Sequence, residues 1–465
     1  MTVLAYFVTM TSAAQTFAEI GATEPPASPT VSLGAAVVLG GSIAGMLAAR
    51  VLADHAETVL IVDRDDLATA DGHRNGVPQG NQAHVLLAAG GRHLERWFPG
   101  FTDRAVAAGA LPLISDQVAI YDDFIPRVSG SQLNRLALTR PFLEQLIRAE
   151  LQGVPNVKFV AERVTGLEFG DTAVTGVRYE SGVEPADLVV DALGRGSRVG
   201  DWLEEGGWEK PALVRVPNGL NYATAFFRRP PGDQPIGMGM ALVGSPVTGG
   251  AIFMMAEDDR WMVIQAGYGD FKPGHTNEDM IARCRRDYPE PFGHVVDNEM
   301  LGDVATYRQS DSRRRDYGGC ERLPARLISV GDAVASFNPI FAQGISSAAL
   351  QASALAGYLQ SNPDLNTPAR DFLARQKVVV DAAWSIATSG AGAGQARPSP
   401  TQRVRGWLIG RVVAANLTDA SVNRVFVEVT QMLRHPSDLA SPAVVRRALL
   451  ASRNRRPAPV PPLDR

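Results

Sequence analysis

The sequence is poor in cysteine and has no long apolar run. Its 465 residues include only Cys284 and Cys320, which form no C-x-x-C pair. Two thiols cannot build the disulfide framework of a small secreted protein, so we expect a reducing, cytoplasmic setting. No stretch reaches the roughly 18 to 20 apolar residues of a membrane-spanning helix. The short apolar patch from Val3 to Met10 has no Lys or Arg before it, which argues against a secretory signal.

Metal-binding patterns and an excess of positive charge are also missing. The seven histidines show no H-E-x-x-H or other metal-ligand spacing, so we expect no metal. A formal net charge of -4 gives no global attraction to nucleic acid or to an anionic membrane. We therefore expect neither a nucleic-acid partner nor a transmembrane segment, and the sequence carries no signal for an oligomeric state.

The N-terminal segment differs in composition from the rest of the chain. Residues from Thr11 to Leu33 are rich in Ala, Thr, Ser and Pro, a composition that suits a disordered extension. We expect disorder over residues 1–33, with Met10 as an alternative start of the protein. The organised sequence begins near Ala35.

A glycine loop between two apolar runs predicts a dinucleotide site. The run from Ala35 to Leu39 is typical of a strand buried on both faces. The loop Gly40-Gly41-Ser42-Ile43-Ala44-Gly45 then opens a helix-forming stretch that continues to Ala53. Backbone amides at a helix N-terminus favour a pyrophosphate, while Gly40 allows the tight turn and Gly45 allows close helix packing. Ser42 stands where the G-x-G-x-x-G fingerprint has its middle glycine.

A carboxylate follows the second apolar run. Asp63 ends the run from Val59 to Val62, close to the roughly 20 residues after the loop at which dinucleotide-binding proteins place a ribose-binding acid. Arg64, next in sequence, is assigned to the same site. The order of strand, loop, helix, strand and acid predicts a β-α-β unit that binds a dinucleotide. A tight turn in an α/β protein without a cofactor is the alternative.

A second signature lies far along the chain. The apolar strand 326–330 is followed by Gly331-Asp332, then by Asn338-Pro339, Gly344 and a long helix. This order resembles the late FAD signature of the para-hydroxybenzoate hydroxylase-like (class A) FAD-dependent monooxygenases. The resemblance implies that Asp332 holds the ribityl chain of FAD and that Pro339 lies in the flavin-facing loop. It also implies that the amides near Gly344 and Ile345 face the flavin pyrimidine edge, which agrees with the preference of helix N-termini for negative charge.

Two further segments carry the resemblance. Arg140 opens an Arg-x-x-Leu-x-x-x-Ile pattern, and in this family an Arg at this place reaches the FAD phosphates. The segment from Arg74 to His84 resembles a flavin-proximal segment of an actinobacterial branch of the family, so Arg74 is also assigned to the cofactor. Taken alone, Arg140 would be a solvated arginine at a helix start and His84 an ordinary packed or surface histidine.

The middle signature departs from the family. A strand is commonly followed there by an Asp-Gly pair, whereas this chain has Asp191-Ala-Leu193-Gly-Arg-Gly-Ser-Arg198, with Leu193 in place of the pair's Asp. That Asp is associated with both FAD and the nicotinamide donor. The D-A-x-G-R-G-S form and the segment from Asp381 to Thr388 resemble the actinobacterial branch that contains polyether polyene epoxidases.

The resemblance implies a specific chemistry. NADPH or NADH, or a separate flavin reductase, reduces FAD; O2 then adds at flavin C4a, and the resulting hydroperoxide gives one oxygen atom to the substrate. We assign no catalytic side chain. We expect a small lipophilic, polyketide-like substrate of secondary metabolism, such as antibiotic biosynthesis, and favour epoxidation over aromatic hydroxylation.

Three alternatives remain. A flavin-dependent double-bond reductase of the geranylgeranyl reductase type shares the fold and tolerates a changed middle signature. A flavin halogenase would usually carry a Trp-x-Trp-x-Ile motif and a catalytic Lys, and neither is visible. A dinucleotide-binding scaffold or sensor without activity fits the glycine loop but not the Asn338–Gly344 region.

Strands rich in methionine and aromatic residues predict the substrate pocket. Alternating strands between Asn221 and Gly269 suggest an antiparallel sheet that could form a dry pocket wall. Plain core packing is the alternative reading for about half of these residues. The predicted pocket residues are Phe226, Met238, Met240, Phe253, Met255, Trp261 and Phe337.

These patterns together predict the architecture. The fold class is α/β, with a Rossmann-like FAD-binding domain, an inserted antiparallel-sheet substrate domain and a helical C-terminal region. The predicted domains are an FAD-binding domain over 34–215 and 300–362, a substrate-binding sheet over 216–299, a helical region over 363–450 and a disordered tail over 451–465.

Overall fold

The computed structural model describes residues 3–67, 84–122, 124–126, 133–243, 249–389 and 400–451. Helices occur in this order: α1 (Val3–Ala22), α2 (Ile43–Leu52), α3 (Ala88–Trp97), α4 (Phe101–Ala107), α5 (Arg140–Gln152), α6 (Val199–Glu205), α7 (Asn277–Arg286), α8 (Glu290–Val296), α9 (Gly344–Leu359), α10 (Arg370–Ala387), α11 (Pro400–Asn416), α12 (Ala420–Thr430) and α13 (Pro442–Ala451). Strands occur in this order: β1 (Leu33–Leu39), β2 (Ala56–Asp63), β3 (Leu111–Leu113), β4 (Val118–Asp122), β5 (Ile125–Pro126), β6 (Arg135–Ala137), β7 (Val157–Ala161), β8 (Val164–Phe169), β9 (Val174–Tyr179), β10 (Val183–Pro185), β11 (Leu188–Asp191), β12 (Ala212–Arg228), β13 (Met238–Val243), β14 (Gly249–Ala256), β15 (Arg260–Gly267), β16 (Ala305–Asp316), β17 (Leu327–Ser329) and β18 (Ala335–Ser336).

A five-stranded parallel sheet forms the first layer, in the order β17-β11-β1-β2-β7. Its central strand β1 pairs with β11 on one side and with β2 on the other, both in parallel. The apolar runs predicted as buried strands are therefore neighbours, and the order of the sheet brings their carboxyl ends to one edge. Ligands of open α/β sheets bind outside this edge.

Small residues allow helices to pack closely on this sheet. The buried helix α9 is rich in Ala, Ser and Gly, and it lies against both α2 and α10. Close packing continues at the loop after β17, because a Cβ on Gly331 would come within 2.5 Å of the Ala44 Cβ in α2. Two sequence signatures that are almost 300 residues apart are thus in direct contact.

The second sheet has eight strands in the order β18-β16-β12-β15-β14-β13-β4-β5. The long strand β12 pairs antiparallel with β15 and β16, with a register shift between Pro217 and Leu220. The sheet extends beyond the predicted span 216–299, because β16 and β18 continue one edge and β4 and β5 continue the other. The β13–β4 pairing is parallel, so the sheet is mixed rather than purely antiparallel.

Helices α7 and α8 cover one face of the eight-stranded sheet. Phe292 of α8 packs edge-to-face on Phe253, with ring centroids 4.9 Å apart, and Gln265 donates to the carbonyl of Met280 in α7 (2.9 Å). We call this the outer face. The opposite, inner face carries Tyr222, because successive side chains of a strand alternate between faces.

The remaining elements complete the predicted fold class. Strands β8, β9 and β10 form a three-stranded sheet, β3 pairs with β6, and helices α10 to α13 follow the FAD-type signatures. The α/β class, with a Rossmann-like parallel sheet, a second sheet and C-terminal helices, is confirmed. No helix in the described ranges is both long enough and apolar enough to cross a membrane.

The N-terminal segment differs from the prediction of disorder over 1–33. Residues Val3–Ala22 form α1, in which Phe17 and Ile20 are buried. The Phe17 ring contacts the His435 ring at 5.7 Å between centroids, and Arg96 donates to the carbonyl of Gly21 (2.6 Å). An Ala- and Thr-rich composition is compatible with a helix once a tertiary surface covers its few large apolar residues.

Candidate functional site

The glycine loop leaves β1 and enters α2 in a conformation that excludes side chains. Gly40 has a φ of 100°, and a Cβ there would lie 2.5 Å from the Ala192 carbonyl oxygen. A Cβ on Gly45 would lie 1.8 Å from the Gly40 oxygen, so helix and loop touch through backbone. A Cβ on Gly41 would meet the end of the Leu67 side chain, at 2.0 Å, which is not part of the backbone. Contact with backbone atoms therefore requires glycine at positions 40 and 45.

Ser42 stands at the N-cap of α2 but does not cap it. The Ser42 side chain makes no capping hydrogen bond, and its hydroxyl donates instead to Glu144 Oε1 (2.7 Å). The first amides of α2 are thus left for a ligand rather than for their own cap. Ser42 replaces the middle glycine of the fingerprint without turning its side chain onto the helix end.

Arg140 reaches this loop from the start of α5. Its Nη2 donates to Ser42 Oγ (3.0 Å) and to Glu144 Oε1 (3.1 Å), and its Nε also donates to Glu144 (3.2 Å). Its Nη1 lies 3.2 Å from His84 Nε2. The structure therefore brings Arg140, Ser42 and His84 together, and it adds the buried Glu144, which the sequence analysis did not single out although it lies one helical turn from Arg140.

Glu257 fixes the start of α5 from the other side. This buried carboxylate accepts the Thr139 N–H (2.9 Å) and the Thr139 hydroxyl (2.6 Å), and Arg260 pairs with it (2.9 Å). Thr139 is the N-cap of α5, directly before Arg140. The sequence analysis did not consider Glu257 as a site residue, because the contact joins segments more than a hundred residues apart.

Asp63 lies at the end of β2, beside the glycine loop. Its Oδ2 accepts the Gly41 N–H (2.8 Å) and its Oδ1 accepts the Asp65 N–H (3.0 Å). An open cleft of about 680 Å³ continues from here, lined by Arg64, Asp65, Ala161, Glu162, Arg163 and Glu180. Arg74 lies outside the described residues.

The late signature reaches the same place through the turn after β17. Gly331 has a φ of 62° and donates its N–H to Gln351 Oε1 (2.9 Å). Asp332 is partly buried, and desolvation raises the pKa of its carboxyl, while the positive charges of Arg140 and Arg195 and a hydrogen bond from Ser336 act in the opposite sense. The charge of Arg140 thus acts on both the glycine loop and Asp332.

The loop before α9 continues the signature. Asn338 Oδ1 accepts the Ile340 N–H (3.3 Å), and Pro339 opens a short 3-10 turn that ends at Ala342, with a φ of 52°. No side chain of the described residues caps α9. Gly344 is exposed, and a Cβ there would meet no described atom within 4 Å, whereas Ile345 is buried. The α9 N-terminus therefore faces open space.

The middle signature forms a closed network of hydrogen bonds. Asp191 is fully buried and accepts from Ser197 Oγ (2.7 Å), Leu193 N–H (3.1 Å) and Ser329 Oγ (3.2 Å). Burial raises the pKa of its carboxyl, and these hydrogen bonds lower it in part. Arg195 pairs with Asp311 of β16, so this segment links the parallel sheet to the second sheet.

The predicted pocket residues divide between the two faces of the eight-stranded sheet. Phe226, Met238 and Met240 share the inner face with Tyr222, as the strand register requires. Phe253, Met255 and Trp261 lie on the outer face; Phe253 packs edge-to-face on Trp261 (5.6 Å) as well as on Phe292. Phe253 packs on α8, and all three lie on the face opposite Tyr222, so the structure does not bring them together with the inner-face residues.

Two of the predicted pocket residues have particular surroundings. The Arg260 guanidinium lies 5.2 Å from the centroid of the Phe226 ring. Phe337 is buried in the late signature, and its carbonyl accepts from Gln309 of β16 (2.8 Å). Both residues thus lie close to elements of the candidate site.

Three tyrosines on the inner face were not singled out by the sequence analysis. Tyr222 and Tyr307 oppose each other on β12 and β16, with ring centroids 5.4 Å apart. Tyr268 follows β15 and accepts from Asn338 Nδ2 (2.7 Å). We call Tyr222, Tyr268 and Tyr307 the tyrosine cluster. The sequence analysis missed the tyrosine cluster because it considered only methionine, phenylalanine and tryptophan as pocket residues. The alternation of side chains along the strands could have identified it.

The described residues contain no group of three or more His, Cys, Asp or Glu side chains that could hold a metal ion. The site is therefore built from backbone amides, Arg140, the acids around it and the tyrosine cluster. This is the chemistry of an anion site at the N-terminus of a helix.

Sequence comparisons identify relatives over most of the chain. No family model matches it. Protein Rv3254 of Mycobacterium tuberculosis is 34% identical over 358 residues, which cover 70% of this chain and 73% of Rv3254. YdiS of Escherichia coli, described as a probable electron transfer flavoprotein-quinone oxidoreductase, is 28% identical over 176 residues, or 36% of this chain and 37% of YdiS.

Solved structures share the fold at low sequence identity. A flavoprotein/dehydrogenase from Cytophaga hutchinsonii has a TM-score of 0.63 at 16% identity, over 90% of this chain and 98% of that one. The flavin-dependent brominase Bmp2 has a TM-score of 0.59 at 15% identity, with the same coverage. PqsL of Pseudomonas aeruginosa, in complex with 2-aminobenzoylacetate, has a TM-score of 0.56 at 17% identity, over 85% of this chain and 98% of that one. The chain therefore has the fold of FAD-dependent monooxygenases and related FAD-dependent oxidoreductases.

Proposed function

The chain belongs to the family of Protein Rv3254 from Mycobacterium tuberculosis, and we propose that it is an FAD-dependent monooxygenase that inserts one oxygen atom of O2 into a small lipophilic substrate. One observation carries the proposal. The glycine loop, the start of α5 with Arg140 and the turn at Gly331-Asp332 meet at the N-terminus of α2. FAD needs this combination of outward amides, a cation and a carboxylate.

The residues of the glycine loop fit a pyrophosphate. Glycine at positions 40 and 45 allows the backbone approach, and Ser42 turns to Glu144 instead of blocking the amides of α2. An arginine has five N–H donors. Glu144, Ser42 and His84 occupy all of those of Arg140 but one on Nη1, which has no acceptor in the described part of the chain. We assign this donor to an FAD phosphate.

The two ends of the cofactor fit the strand ends on either side of the loop. Asp63 would accept the ribose hydroxyls, with the adenine in the cleft beside Arg64. Asp332 would accept hydroxyls of the ribityl chain. These assignments follow the sheet order, since β2 and β17 lie on opposite sides of β1.

The isoalloxazine end fits the uncapped N-terminus of α9. Its positive helix end would stabilise the negative charge of a reduced flavin at the exposed Gly344. FAD, when bound, would supply the electron transfer and the activation of O2. The chain would position the cofactor and keep water from the reacting atoms, with Met238 and Met240 on the inner face of the large sheet.

The finer assignments extend the proposal to the substrate and the electron donor. The apolar inner face favours a lipophilic, polyketide-like substrate, with epoxidation ahead of aromatic hydroxylation, and no catalytic side chain is assigned. NADPH or NADH is the proposed electron donor. A separate flavin reductase is the second source, because Leu193 replaces the acid that the family associates with the nicotinamide.

Cofactor analysis and oxygen-dependent turnover test the proposal. We expect the purified protein to bind FAD, identified after heat release, and to consume O2 with reduced FAD and a panel of alkenes and phenols. Mass spectrometry should show products with one added oxygen atom. Epoxides from the alkenes would support the finer assignment, and oxidation of the phenols alone would favour aromatic hydroxylation. Failure to take up FAD on reconstitution would refute the proposal.

A double-bond reductase is the second candidate, and the Leu193 position favours it. The closed network around Asp191 offers the nicotinamide no carboxylate at the middle signature. A reductase of the geranylgeranyl reductase type needs no oxygen. Anaerobic turnover with reduced FAD therefore separates the two candidates, and alkene reduction without O2 would replace the monooxygenase assignment.

A further inference from the structure

The contact between Tyr268 and Asn338 has a fixed direction. Asn338 Oδ1 accepts the backbone N–H of Ile340, so its Nδ2 must face Tyr268 and donate to the phenol oxygen at 2.7 Å. The Tyr268 oxygen is therefore an acceptor in this contact. Its own proton points elsewhere, and no protein group in the described ranges accepts it.

Tyr222 and Tyr307 place two more phenol groups on the same face. Tyr222 pairs with Ala266 on β15, so Tyr268, two residues further on, follows on the inner face. Diagonal neighbours of this kind lie about 7 to 8 Å apart, within reach of an aromatic side chain. Neither the Tyr222 nor the Tyr307 hydroxyl donates to a protein acceptor among the residues that the structure describes.

Burial keeps the hydroxyls of Tyr222 and Tyr268 protonated. Burial raises the pKa of Tyr222 well above its usual range, Tyr307 adds to this, and the charge of Arg140 opposes it. Burial also raises the pKa of Tyr268, against the hydrogen bond from Asn338. Tyr222 and Tyr268 are therefore O–H donors at neutral pH. The hydroxyls of Tyr222, Tyr268 and Tyr307 are not among the buried unpartnered atoms of the described residues, so a ligand that enters the site can supply their acceptor.

We propose that the tyrosine cluster binds an acceptor oxygen of the substrate, such as a ketone carbonyl, and that Tyr268 is its specificity-determining donor. The inference rests on the proposed monooxygenase function and adds to it that the lipophilic substrate carries an oxygen at the end near Asn338. Asn338 is a positioning residue, since its amide forces the Tyr268 proton away from the protein. The same amide belongs to the loop that leads into α9, so substrate and flavin would be positioned from one segment.

Matched ligand pairs test this inference without turnover. The protein, loaded with FAD and kept without an electron donor, is titrated with 9-fluorenone and fluorene, and with 1-tetralone and tetralin, by calorimetry. We expect each ketone to bind about ten-fold more tightly than its hydrocarbon. Tyr268→Phe should remove most of this preference and leave the hydrocarbon affinity unchanged.

Two further variants separate hydrogen bonding from packing. Asn338→Asp keeps the tyrosine but offers it a carboxylate acceptor, so the phenol proton should turn to the protein and the ketone preference should fall. Tyr288→Phe is the control, because Tyr288 lies on the outer face and donates to the Gly250 carbonyl (3.4 Å); it should keep the wild-type preference.

Each other outcome counts against the inference. Equal affinity of the wild type for ketone and hydrocarbon, no ketone binding, or an unchanged preference in Tyr268→Phe would overturn it. FAD content and oxygen-dependent turnover are measured on the same samples. A protein that holds FAD and oxygenates substrates without a ketone preference loses only this inference, whereas a protein without FAD loses the proposed function itself.

Discussion

Asp191 and Asp332 follow neighbouring strands of the same sheet, and burial raises the pKa of both carboxyls. Their surroundings differ. Asp191 is enclosed, with donors from Ser197, Ser329 and Leu193, whereas Asp332 is partly exposed and has the positive charges of Arg140 and Arg195 near it. A raised carboxyl pKa therefore does not distinguish a structural acid from a ligand-binding one. What differs between the two acids is whether protein donors enclose the carboxylate, as at Asp191, or leave part of it exposed, as at Asp332.

The largest expected effect is a loss of stability when Asp191, the enclosed acid, is replaced. Asp191→Ala would leave two serine hydroxyls and a backbone N–H without an acceptor in the interior. We expect the free energy of unfolding of the cofactor-free protein to fall by about 3 kcal/mol, measured by urea denaturation. A loss below 1 kcal/mol would contradict the structural role.

Replacement of Asp332, the partly exposed acid, should affect FAD binding more than stability. Asp332→Ala is expected to weaken FAD binding by roughly 10- to 100-fold, because it removes the proposed acceptor of ribityl hydroxyls. Cofactor-free stability should change by less than about 1 kcal/mol. Equilibrium dialysis and urea denaturation on the same variant provide the two readouts. Wild-type FAD affinity would remove Asp332 from the proposed site.

The third prediction concerns Glu144, a buried acid that pairs with a proposed cofactor ligand, Arg140. Glu144 is buried and paired with Arg140, so Arg140→Gln would remove the cation beside a buried carboxylate and should cost about 2 kcal/mol of stability. The double variant Arg140→Gln/Glu144→Gln should recover most of that loss. FAD binding should stay weakened about ten-fold in both variants. Recovery of FAD affinity in the double variant would show that Arg140 acts only on Glu144.

The smallest expected effect is the pH dependence of the enclosed acid. A carboxyl whose pKa is raised on folding is penalised once it ionises, so its penalty grows as pH rises from about 4, the unfolded value, through the raised folded value. Relative to Asp191→Asn, the wild type should therefore lose stability across that window and then stay level. Urea midpoints between pH 4 and 8 provide the measurement.

The sign of this trend is the decisive outcome of the titration. A difference between wild type and Asp191→Asn that increases in favour of the wild type as pH rises would contradict the sign.

Local patterns in the sequence were sufficient for the parts of the site that lie within one short segment. The strand, the glycine loop and the acid at Asp63 are set by residues close in sequence, and apolar runs identify buried strands directly. The meeting of this loop with Gly331 depended on a resemblance, because no local rule pairs segments almost 300 residues apart. Glu144 and Glu257 act through tertiary contacts, which single-sequence patterns do not encode.

The second sheet shows a different limit. Alternation predicted that residues two apart share a face, but it does not say which face meets the cofactor side. Phe253 and Trp261 therefore entered the predicted pocket although they lie on the outer face, where Phe253 packs on α8, and the tyrosine cluster on the other face was missed. For α1, composition suggested disorder, while two buried side chains on a tertiary surface are enough to order the helix.

The hairpin between β14 and β15 has a consequence for how the molecule could be altered. Its tip is a three-residue loop, Glu257-Asp258-Asp259, in which Asp258 and Asp259 both have positive φ and Glu257 binds the N-cap of α5. The eight-stranded sheet and the start of α5, next to Arg140, are thus joined through a short loop. We expect an insertion or deletion in this loop to shift the eight-stranded sheet relative to Arg140. The proposed surfaces for substrate and cofactor would then move together.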